Sequence, residues 1–413
     1  MFCYFLQVGG QIFCMSSSHT YTVPAYYPEF RCKTGDCRHP CCTGWDIAIS
    51  MNEYFRMLGM DCSPELRRRL DTAFHLADDP SEYHYAVISP RWDGDCPLHL
   101  PNGYCGLQCE CGEDAIPSIC RYYPRSPKTR YAYQCQCSNS CEAVVELLFS
   151  MQEPMTFLRR PLSFHMVEHV PHENDPVARL FPAIQKACLH ILQDRTRPFS
   201  LRLQHLGELT MVLDVPYHRE NADGMRALLP FAATAAHADQ QEYQQPGNRE
   251  LLSALTFLRD YLCHLESSQA NLAQESESAR TLLGIPADGP LPTEVASRWV
   301  SYREQFNRFF PDNERQLEQL FVNHLCYDCY PFSPDHKTLW DSFLSFCTAY
   351  ALVILFSVCH LAQLGHADNA AYADIVAAVF RMVEHTAFTR NTAILTRRFH
   401  FYLPEQIMLL TEL

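Results

Sequence analysis

Residues 342–359 form the stretch SFLSFCTAYALVILFSVC, in which 18 consecutive positions carry no charged side chain. A stretch of this length is at the lower limit of what spans a lipid bilayer. It contains serine, threonine and cysteine, and it lacks the positively charged flank that is usual for membrane-spanning helices. We therefore predict a helix buried at the centre of a soluble helical domain.

Helical periodicity continues on both sides of this stretch. Pro404 is placed to begin a closing helix, and polar segments at residues 239–248 and 284–293 separate the helices. Beyond about residue 151 we expect helices almost throughout, and no alternating run is long enough to predict a sheet. The fold class is therefore mainly α. Apolar side chains recur at helical spacing at Leu251, Leu255, Leu258, Leu262 and Leu265, at Leu317, Leu320, Phe321 and Leu325, and at Tyr372, Ile375, Val376, Val379 and Val383.

Cysteine content divides the chain. The sequence has 21 cysteines, and thirteen of them lie between Cys32 and Cys141, where proline, glycine and other turn residues are also frequent. We predict three parts. These are an N-terminal extension of uncertain status at residues 1–18, a Cys-rich, turn-rich domain organised by a metal centre at residues 19–150, and a multi-helix domain at residues 151–413.

Capping patterns predict three short helices within the Cys-rich region. In two of them a serine or asparagine oxygen accepts from a backbone N–H of the first turn, and a glutamate three residues later bonds back. In the third, a proline follows the serine at the first helical position. The patterns are Ser50 with Glu53, Ser63 with Pro64 and an apolar face from Leu66 through Leu70 and Phe74 to Ala77, and Asn139 with Glu142.

The net charge and the first 18 residues bear on binding partners and on cellular compartment. A net charge of −14 and a pI near 5.7 exclude a general nucleic-acid binder, which needs clustered positive charge. The first 18 residues contain no lysine or arginine, so the charged start of a secretory signal is missing, and Met15 is an alternative start to Met1. We expect a cytoplasmic protein, whose reduced cysteines are metal ligands or core residues and not disulfides.

The cysteines follow one another in close groups, which is typical of a metal site. Thiolates on turns converge on a metal at small entropic cost, and a supply of sulfur alone fits an iron–sulfur cluster, most simply 4Fe–4S. The spacing is neither that of a zinc ribbon nor the C-x3-C-x2-C of radical enzymes, and zinc is the alternative metal. Several cysteines are expected to pack in the core instead. The series is Cys32-x4-Cys37-x3-Cys41-Cys42, Cys96, Cys105, Cys109, Cys111, Cys120, Cys135, Cys137 and Cys141.

The same residues resemble the flagellin lysine N-methylase family, often called FliB. The match covers about residues 27–148, and the helical remainder is similar in length and hydrophobic pattern. In the last matching segment the proline of the family's C-P-E is missing. The matching segments are Phe30-Arg31-Cys32 through Cys41-Cys42-x2-Trp45-x-Ile47, Asp95-Cys96-Pro97-Leu98, Tyr104-Cys105, Ser118-Ile119-Cys120-x3-Pro124-Arg125 and Ser140-Cys141-Glu142.

The resemblance implies a cytoplasmic enzyme that methylates lysine side chains of flagellin, with S-adenosyl-L-methionine as donor and a cysteine-bound iron–sulfur cluster. Eight ligands exceed what one 4Fe–4S cluster takes, so either some are structural or there are two centres. Catalytic and donor-binding residues are left unassigned. The candidate metal ligands implied by the match are Cys32, Cys37, Cys41, Cys42, Cys96, Cys105, Cys120 and Cys141.

The donor site has few sequence signals. The chain contains no G-x-G, so a doubly wound nucleotide-binding fold is not expected. Trp45 and Asp46 are candidates for an aromatic face and a carboxylate toward the sulfonium cation, with a core tryptophan and a surface aspartate as the alternative. The basic, aromatic run from Arg121 to Tyr131 is either a docking patch or a solvated loop, and Cys326-x2-Cys329 is expected to be two ordinary thiols.

A lysine substrate sets a chemical requirement on the site, and three functions compete. A lysine must lose its proton before methyl transfer, and we expect the slot that achieves this where the two main domains meet. The first function is a flagellin lysine N-methylase. The alternatives are an iron–sulfur redox or radical protein with another substrate and a zinc-stabilised interaction scaffold. Flagellin is the expected partner, without nucleic acid or membrane, and the oligomeric state is open.

Overall fold

The structure is a computed structural model of the chain, and it describes residues 7–8, 11–12, 18–164, 176–238, 247–264, 270–332 and 338–413. Most of the predicted N-terminal extension lies outside these residues, including Met15. So do Leu265 and most of the predicted polar segment at residues 239–248.

Sixteen α-helices occur in the described part of the chain, which confirms the mainly α fold class. Helical spacing correctly predicted the buried faces of the ninth, twelfth and fourteenth helices, and Pro404 begins the sixteenth. The helices are α1 (Met51–Leu58), α2 (Pro64–Ala73), α3 (Gly106–Cys111), α4 (Ser118–Tyr122), α5 (Glu142–Ser150), α6 (Pro176–Leu192), α7 (Phe199–His218), α8 (Ala222–Ala238), α9 (Asn248–Leu262), α10 (Ala270–Leu283), α11 (Thr293–Phe309), α12 (Asn313–Tyr327), α13 (Leu339–Leu364), α14 (Asn369–His385), α15 (Phe388–Arg398) and α16 (Pro404–Thr411).

Helix α13 is the centre of the helical part. Every residue from Ser342 to Cys359 is buried, and the helix packs against α7, α10, α11, α14, α15 and α16. By length and composition it is the one helix in the described residues that qualifies as a membrane span, yet its most apolar 18-residue window lies wholly inside the protein. The helix ends at Gly365, which adopts φ of +75°. The prediction of a buried helix is confirmed.

The prediction that no sheet forms is wrong. One sheet has the strand order β7-β8-β3-β9, a second has the order β4-β6-β5, and β1 pairs with β2. Most strands are two to four residues long, too short for their alternation to stand out in the sequence. The strands are β1 (Gln7–Val8), β2 (Gln11–Ile12), β3 (Ser18–Pro24), β4 (Ile47–Ile49), β5 (Phe74–Leu76), β6 (Ala86–Ile88), β7 (Arg125–Lys128), β8 (Gln134–Cys137) and β9 (Phe157–Ser163).

Two strands occupy positions where helices were expected. Strand β9 pairs antiparallel with β3 along its whole length, from Phe157 opposite Pro24 to Ser163 opposite Ser18. It is an edge strand, where a proline such as Pro161 is tolerated. Strand β5 begins at Phe74, because pairing with β6 replaces the last turn predicted for α2. Long-range pairing overrides the local helical pattern in both cases.

Two hydrophobic cores organise the molecule. The smaller one is built from residues of the segment 47–116, with Cys42, Cys105 and Cys120 packed against it. The larger one joins the helices that follow residue 176 to β3, β8 and α5 of the Cys-rich region. The helices that follow residue 176 form the helical body. Candidate ligands therefore lie beside the smaller core and close to the helical body. The domain boundary at residue 150 stays a prediction.

Candidate metal and catalytic site

The loop of residues 32–42, named the cysteine loop, carries four of the predicted ligands. Charged side chains hold it between α5 and α14. Lys33 Nζ donates to Glu142 Oε1 of α5 at 3.1 Å. Arg38 donates from Nε and a terminal nitrogen to both carboxylate oxygens of Asp374 on α14, at 2.7–3.0 Å. Such two-pronged guanidinium–carboxylate pairs fix geometry as well as charge. The loop is therefore positioned by two helices that are distant in sequence.

Glu142 supports this loop and does not cap its own helix. Its side chain is 2% exposed, and it accepts from the backbone N–H groups of Arg38 and His39 at 3.1 and 2.9 Å. The N-cap position belongs to Cys141, without a side-chain cap bond. Asn139 instead donates to Leu320 O in α12 at 2.9 Å. The predicted capping pair is wrong, because a buried carboxylate satisfies more donors by accepting from the loop.

Five candidate ligands form one neighbourhood beside the smaller core. Burial and the negative charge of Cys105 outweigh backbone hydrogen bonds and raise the pKa of Cys96 to about 11. Burial also raises the pKa of Cys120 and of Cys105, and both groups respond electrostatically to Cys41. The pKa of Cys42 is raised by its hydrogen bond with Cys41, by burial and by the charges of Cys96 and Cys105. These mutual effects require the five thiols to lie near one another.

The other three candidates adjoin Cys41 from the loop side. Burial, together with the charges of Glu142, Cys32, Cys141 and Cys41, raises the pKa of Cys37 to about 12. Burial likewise raises the pKa of Cys141 to about 11, with contributions from Cys41 and Cys32. Cys41 thus belongs to both neighbourhoods. The structure brings all eight candidates into one contiguous region.

A set of eight thiols fits a metal with a preference for sulfur. In the described residues, however, these thiols do not converge on one point. In the described residues, no three His, Cys, Asp or Glu side chains converge closely enough to hold a metal ion. All cysteines in these residues are free thiols. Six of the eight thiols have raised pKa values, which favours protonated sulfur, and a metal that binds must displace those protons. The hydrogen bond with Cys42 instead lowers the pKa of Cys41 to about 7. The choice of ligands stays a prediction.

The cysteines outside the matched series are mostly core residues. Cys135 and Cys137 are fully buried in β8. Cys326 and Cys329 are also buried, and Cys329 Sγ accepts from Gln134 Nε2 at 3.1 Å. Burial raises the pKa of Cys329 to about 11, which disfavours a reactive thiolate there. The Cys326-x2-Cys329 pair is therefore two core thiols, as expected.

Trp45 joins the Cys-rich region to the helical body. Its ring lies edge-on to His385 of α14, with ring centroids 4.6 Å apart, and edge-on to Tyr123 at 5.5 Å. The guanidinium of Arg381 lies 5.9 Å from the Trp45 ring centroid. Asp46, by contrast, is exposed. Trp45 thus contributes an aromatic face at the predicted junction, and Asp46 is a surface aspartate.

A polar network that the sequence does not predict lies beside Trp45. Ser140 Oγ lies 2.8 Å from His385 Nε2 and 2.9 Å from Tyr123 OH. Ser138 Oγ hydrogen-bonds to Ser140 Oγ and lies 2.5 Å from Glu384 Oε2. The network joins the residues just before Cys141 to the last residues of α14. Its members are about 245 positions apart, and the only local signal is the polar triplet 138–140 before a candidate ligand.

The network continues into the helical body. Glu384 Oε1 lies 3.1 Å from His324 Nδ1 of α12, and the Glu384 side chain is fully buried. His324 also packs face to face with Phe346 of α13, at a centroid distance of 5.7 Å. The Glu384 carboxyl group is thus hydrogen-bonded at both oxygens, to Ser138 and to His324. It therefore anchors the neighbouring hydroxyl groups in one arrangement.

The basic, aromatic run from Arg121 to Tyr131 does not form an open basic surface. Arg125 lies 5.0 Å over the Phe30 ring, and Lys128 lies 4.7 Å over the Tyr327 ring. Cations placed in this way cover aromatic side chains of the protein itself. We therefore assign the run a packing role at the junction of the two parts.

The sheets differ from those of doubly wound nucleotide-binding folds. Within the described ranges, the only parallel strand pairing is that of β3 with β8, through Thr22 opposite Gln134. All other pairs are antiparallel. The described residues thus offer no Gly-rich strand-to-helix turn for a nucleotide.

The helical body is similar to a known protein family. A family model described as the FliB lysine N-methylase C-terminal domain matches residues 185–394. No curated protein and no solved structure matches the chain. The matched residues run from α6 into α15 and include α14, which bonds to the cysteine loop. The chain belongs to the FliB lysine N-methylase family.

Proposed function

We propose that this protein is a flagellin lysine N-methylase that uses S-adenosyl-L-methionine as methyl donor. The observation that carries the proposal is the family match over residues 185–394, which covers the helical body. The cysteine series resembles the same family independently, in the half of the chain that the match leaves out. Two separate parts of the sequence therefore point to one activity.

We further propose that a cysteine-bound iron–sulfur cluster occupies the region of the eight candidate thiols. Supporting this, Cys41 adjoins both thiol neighbourhoods, and the loop that carries it is held in place by Glu142 and Asp374. A cluster of this kind would stabilise the loop and, in redox chemistry, would supply electrons. Zinc is the competing metal, since it too is bound by thiolates.

The reacting groups are proposed to meet at the junction between the cysteine loop and α14. Trp45 offers an aromatic face there, which suits a cationic lysine or sulfonium group. The net charge of −14 favours the approach of a basic substrate surface. The protein is proposed to act in the cytoplasm, before flagellin is exported.

The test begins with anaerobic purification, a visible absorption spectrum, and assays for iron, acid-labile sulfide and zinc. We expect a brown protein with iron and sulfide, and subsequent incubation with flagellin and S-adenosyl-L-methionine should raise the flagellin mass in steps of one methylene. A colourless protein with stoichiometric zinc contradicts the cluster. Unchanged flagellin mass with intact cluster and donor contradicts the methylase and favours a redox protein with another substrate.

A matched pair of variants tests the ligand assignment. Cys37→Ser should lose most of the bound iron, because Cys37 lies among Cys32, Cys41 and Cys141. Cys263→Ser should keep it, because Cys263 is an exposed thiol at the end of α9, outside both neighbourhoods. Iron per protein is the measurement, with circular dichroism to show that both variants fold. Equal iron in the two variants removes Cys37 from the ligand set.

A further inference from the structure

We propose that His385 is the catalytic base that removes the proton from the substrate lysine, with Nδ1 as the accepting atom. This inference rests on the proposed methylase function and adds to it a residue and a proton path. It is drawn from the hydrogen-bond network at the junction of the cysteine loop and α14. No other imidazole in the described residues lies edge-on to Trp45.

The direction of the network follows from its buried carboxylate. Glu384 is a carboxylate acceptor, so Ser138 donates its hydroxyl hydrogen to Glu384 Oε2. Ser138 must then accept from Ser140, whose hydroxyl hydrogen is thereby used. Ser140 Oγ has only acceptor capacity left, so at 2.8 Å it accepts from Nε2–H of His385. The chain of donors leads from His385 to Glu384.

This direction fixes the tautomer of His385. With the hydrogen on Nε2, the lone pair of the neutral imidazole is on Nδ1. No hydrogen-bond partner of Nδ1 occurs among the residues that the structure describes, and part of His385 is accessible to solvent. The network thus leaves an unoccupied proton acceptor at the surface of the junction.

Charged groups from two elements, α14 and β7, surround this imidazole. Burial lowers the pKa of His385, Glu384 raises it, and the cations Arg381 and Lys128 lower it. Tyr123 and Trp45 contribute uncharged rings at centroid distances of 6.1 and 4.6 Å. The balance keeps the imidazole neutral at neutral pH, as a base must be.

The position of His385 also suits the substrate. Its ring and those of Trp45 and Tyr123 form an aromatic group into which the apolar stem of a lysine can pack. Tyr123 is within electrostatic range of Cys141 and Cys41, which places the group next to the candidate ligands. The imidazolium formed by proton uptake is stabilised by the carboxyl end of α14, where His385 is the last residue.

The step balances as a proton transfer followed by a displacement. Nδ1 of His385 takes a proton from the lysine ammonium, which becomes a neutral amine. The amine lone pair forms the N–C bond to the methyl group of S-adenosyl-L-methionine, and the S–C bond breaks. The sulfonium becomes a thioether, the product is a methylammonium, and the imidazolium releases its proton to solvent. No oxidant or reductant is consumed.

The test compares His385→Gln with His264→Gln, a control whose imidazole lies at the end of α9 and is within 2.9 Å of Asp260 O. Flagellin methylation is measured with saturating donor from pH 6 to pH 9. We expect His385→Gln to lower the rate at pH 7 by about 100-fold or more. Its rate should then rise about tenfold per pH unit, following the free-amine fraction of lysine with its pKa of about 10.4. Wild type and His264→Gln should be flat from pH 7 to pH 9.

The outcomes separate the inference from the function on which it rests. If wild type methylates flagellin and folded His385→Gln keeps both the rate and the flat pH profile, His385 is not the base, although the methylase function stands. A lower rate with a flat profile assigns His385 a structural role and also overturns the inference. If wild-type protein with cluster and donor does not methylate flagellin, the proposed function itself fails.

Discussion

Glu318 of α12 illustrates how single buried charges determine stability in the helical body. Its side chain is fully buried and accepts from Arg202 of α7 at 2.7 Å. Arg195, in the turn between α6 and α7, donates to the same carboxylate at 2.9–3.1 Å. Arg202 is itself only 3% exposed. Because Glu318 and Arg202 are both buried, water cannot solvate either charge, and each requires the other as its counter-charge.

Replacing Glu318 should therefore be costly. In Glu318→Gln the positive charge of Arg202 stays buried without its counter-charge, and we expect the free energy of unfolding to fall by about 3 kcal/mol. Glu314→Gln is the control, since Glu314 lies one helical turn away, is 56% exposed and approaches Arg202 only to 3.9 Å. Its effect should stay below about 0.5 kcal/mol. Urea unfolding of both variants is the measurement, and equal losses would contradict the role of Glu318.

At the scale of elements, α13 is the helix on which the others depend. It packs against six other helices, and Ala351 near its middle is fully buried. Introducing a carboxylate at this point removes it from water without any partner, which costs several kcal/mol. The helix also places Phe346 against His324, so its position affects the polar network at the junction.

We expect Ala351→Asp to prevent stable folding, with most of the protein insoluble or its unfolding midpoint far below that of wild type. Leu364→Asp on the same helix is the control, because Leu364 is 40% exposed near the carboxyl end. A negative charge there costs about 1 kcal/mol or less. Soluble yield and thermal unfolding distinguish the two. A well-folded Ala351→Asp would mean that the middle of α13 is accessible to water.

At the scale of the whole molecule, the two parts of the chain are joined by ion pairs at the cysteine loop. Burial would raise the pKa of Asp374, but hydrogen bonds and charge from His39 and Arg38 outweigh it and lower the pKa to about 2. A depressed carboxyl pKa stabilises the folded state at pH values above the unfolded pKa of about 3.9. This stabilisation is lost as the pH falls from about 4 to about 2.

Asp374→Asn tests this junction. The variant should be less stable than wild type by about 2 kcal/mol at pH 6, and the difference should shrink toward zero as the pH approaches 2. Denaturant unfolding at a series of pH values measures it. His360→Gln is a control, since His360 pairs with Glu275 at 3.2 Å and not with the cysteine loop. A difference independent of pH would show that packing, and not charge, is lost at residue 374.

Features that depend on local spacing can be predicted from the amino-acid sequence alone. Apolar positions three and four residues apart predict α9, α12 and α14, and an uncharged stretch predicts the buried α13. The capping box of Ser50 and Glu53 is present as predicted, with Glu53 N donating to Ser50 Oγ. In each of these cases the deciding contacts lie within one or two helical turns, so their residues are neighbours in the sequence.

Contacts between residues that are distant in sequence depend on three-dimensional packing. Strand β9 formed because β3 offered an unpaired edge, and Glu142 turned to the cysteine loop because that loop has backbone donors to satisfy. The network from Ser138 to His385 joins distant segments, and its one local signal, the polar triplet 138–140, does not indicate the partner on α14. Such contacts arise when packing removes polar groups from water and each must find a partner nearby. That requirement acts in three dimensions, and no spacing along the chain records it.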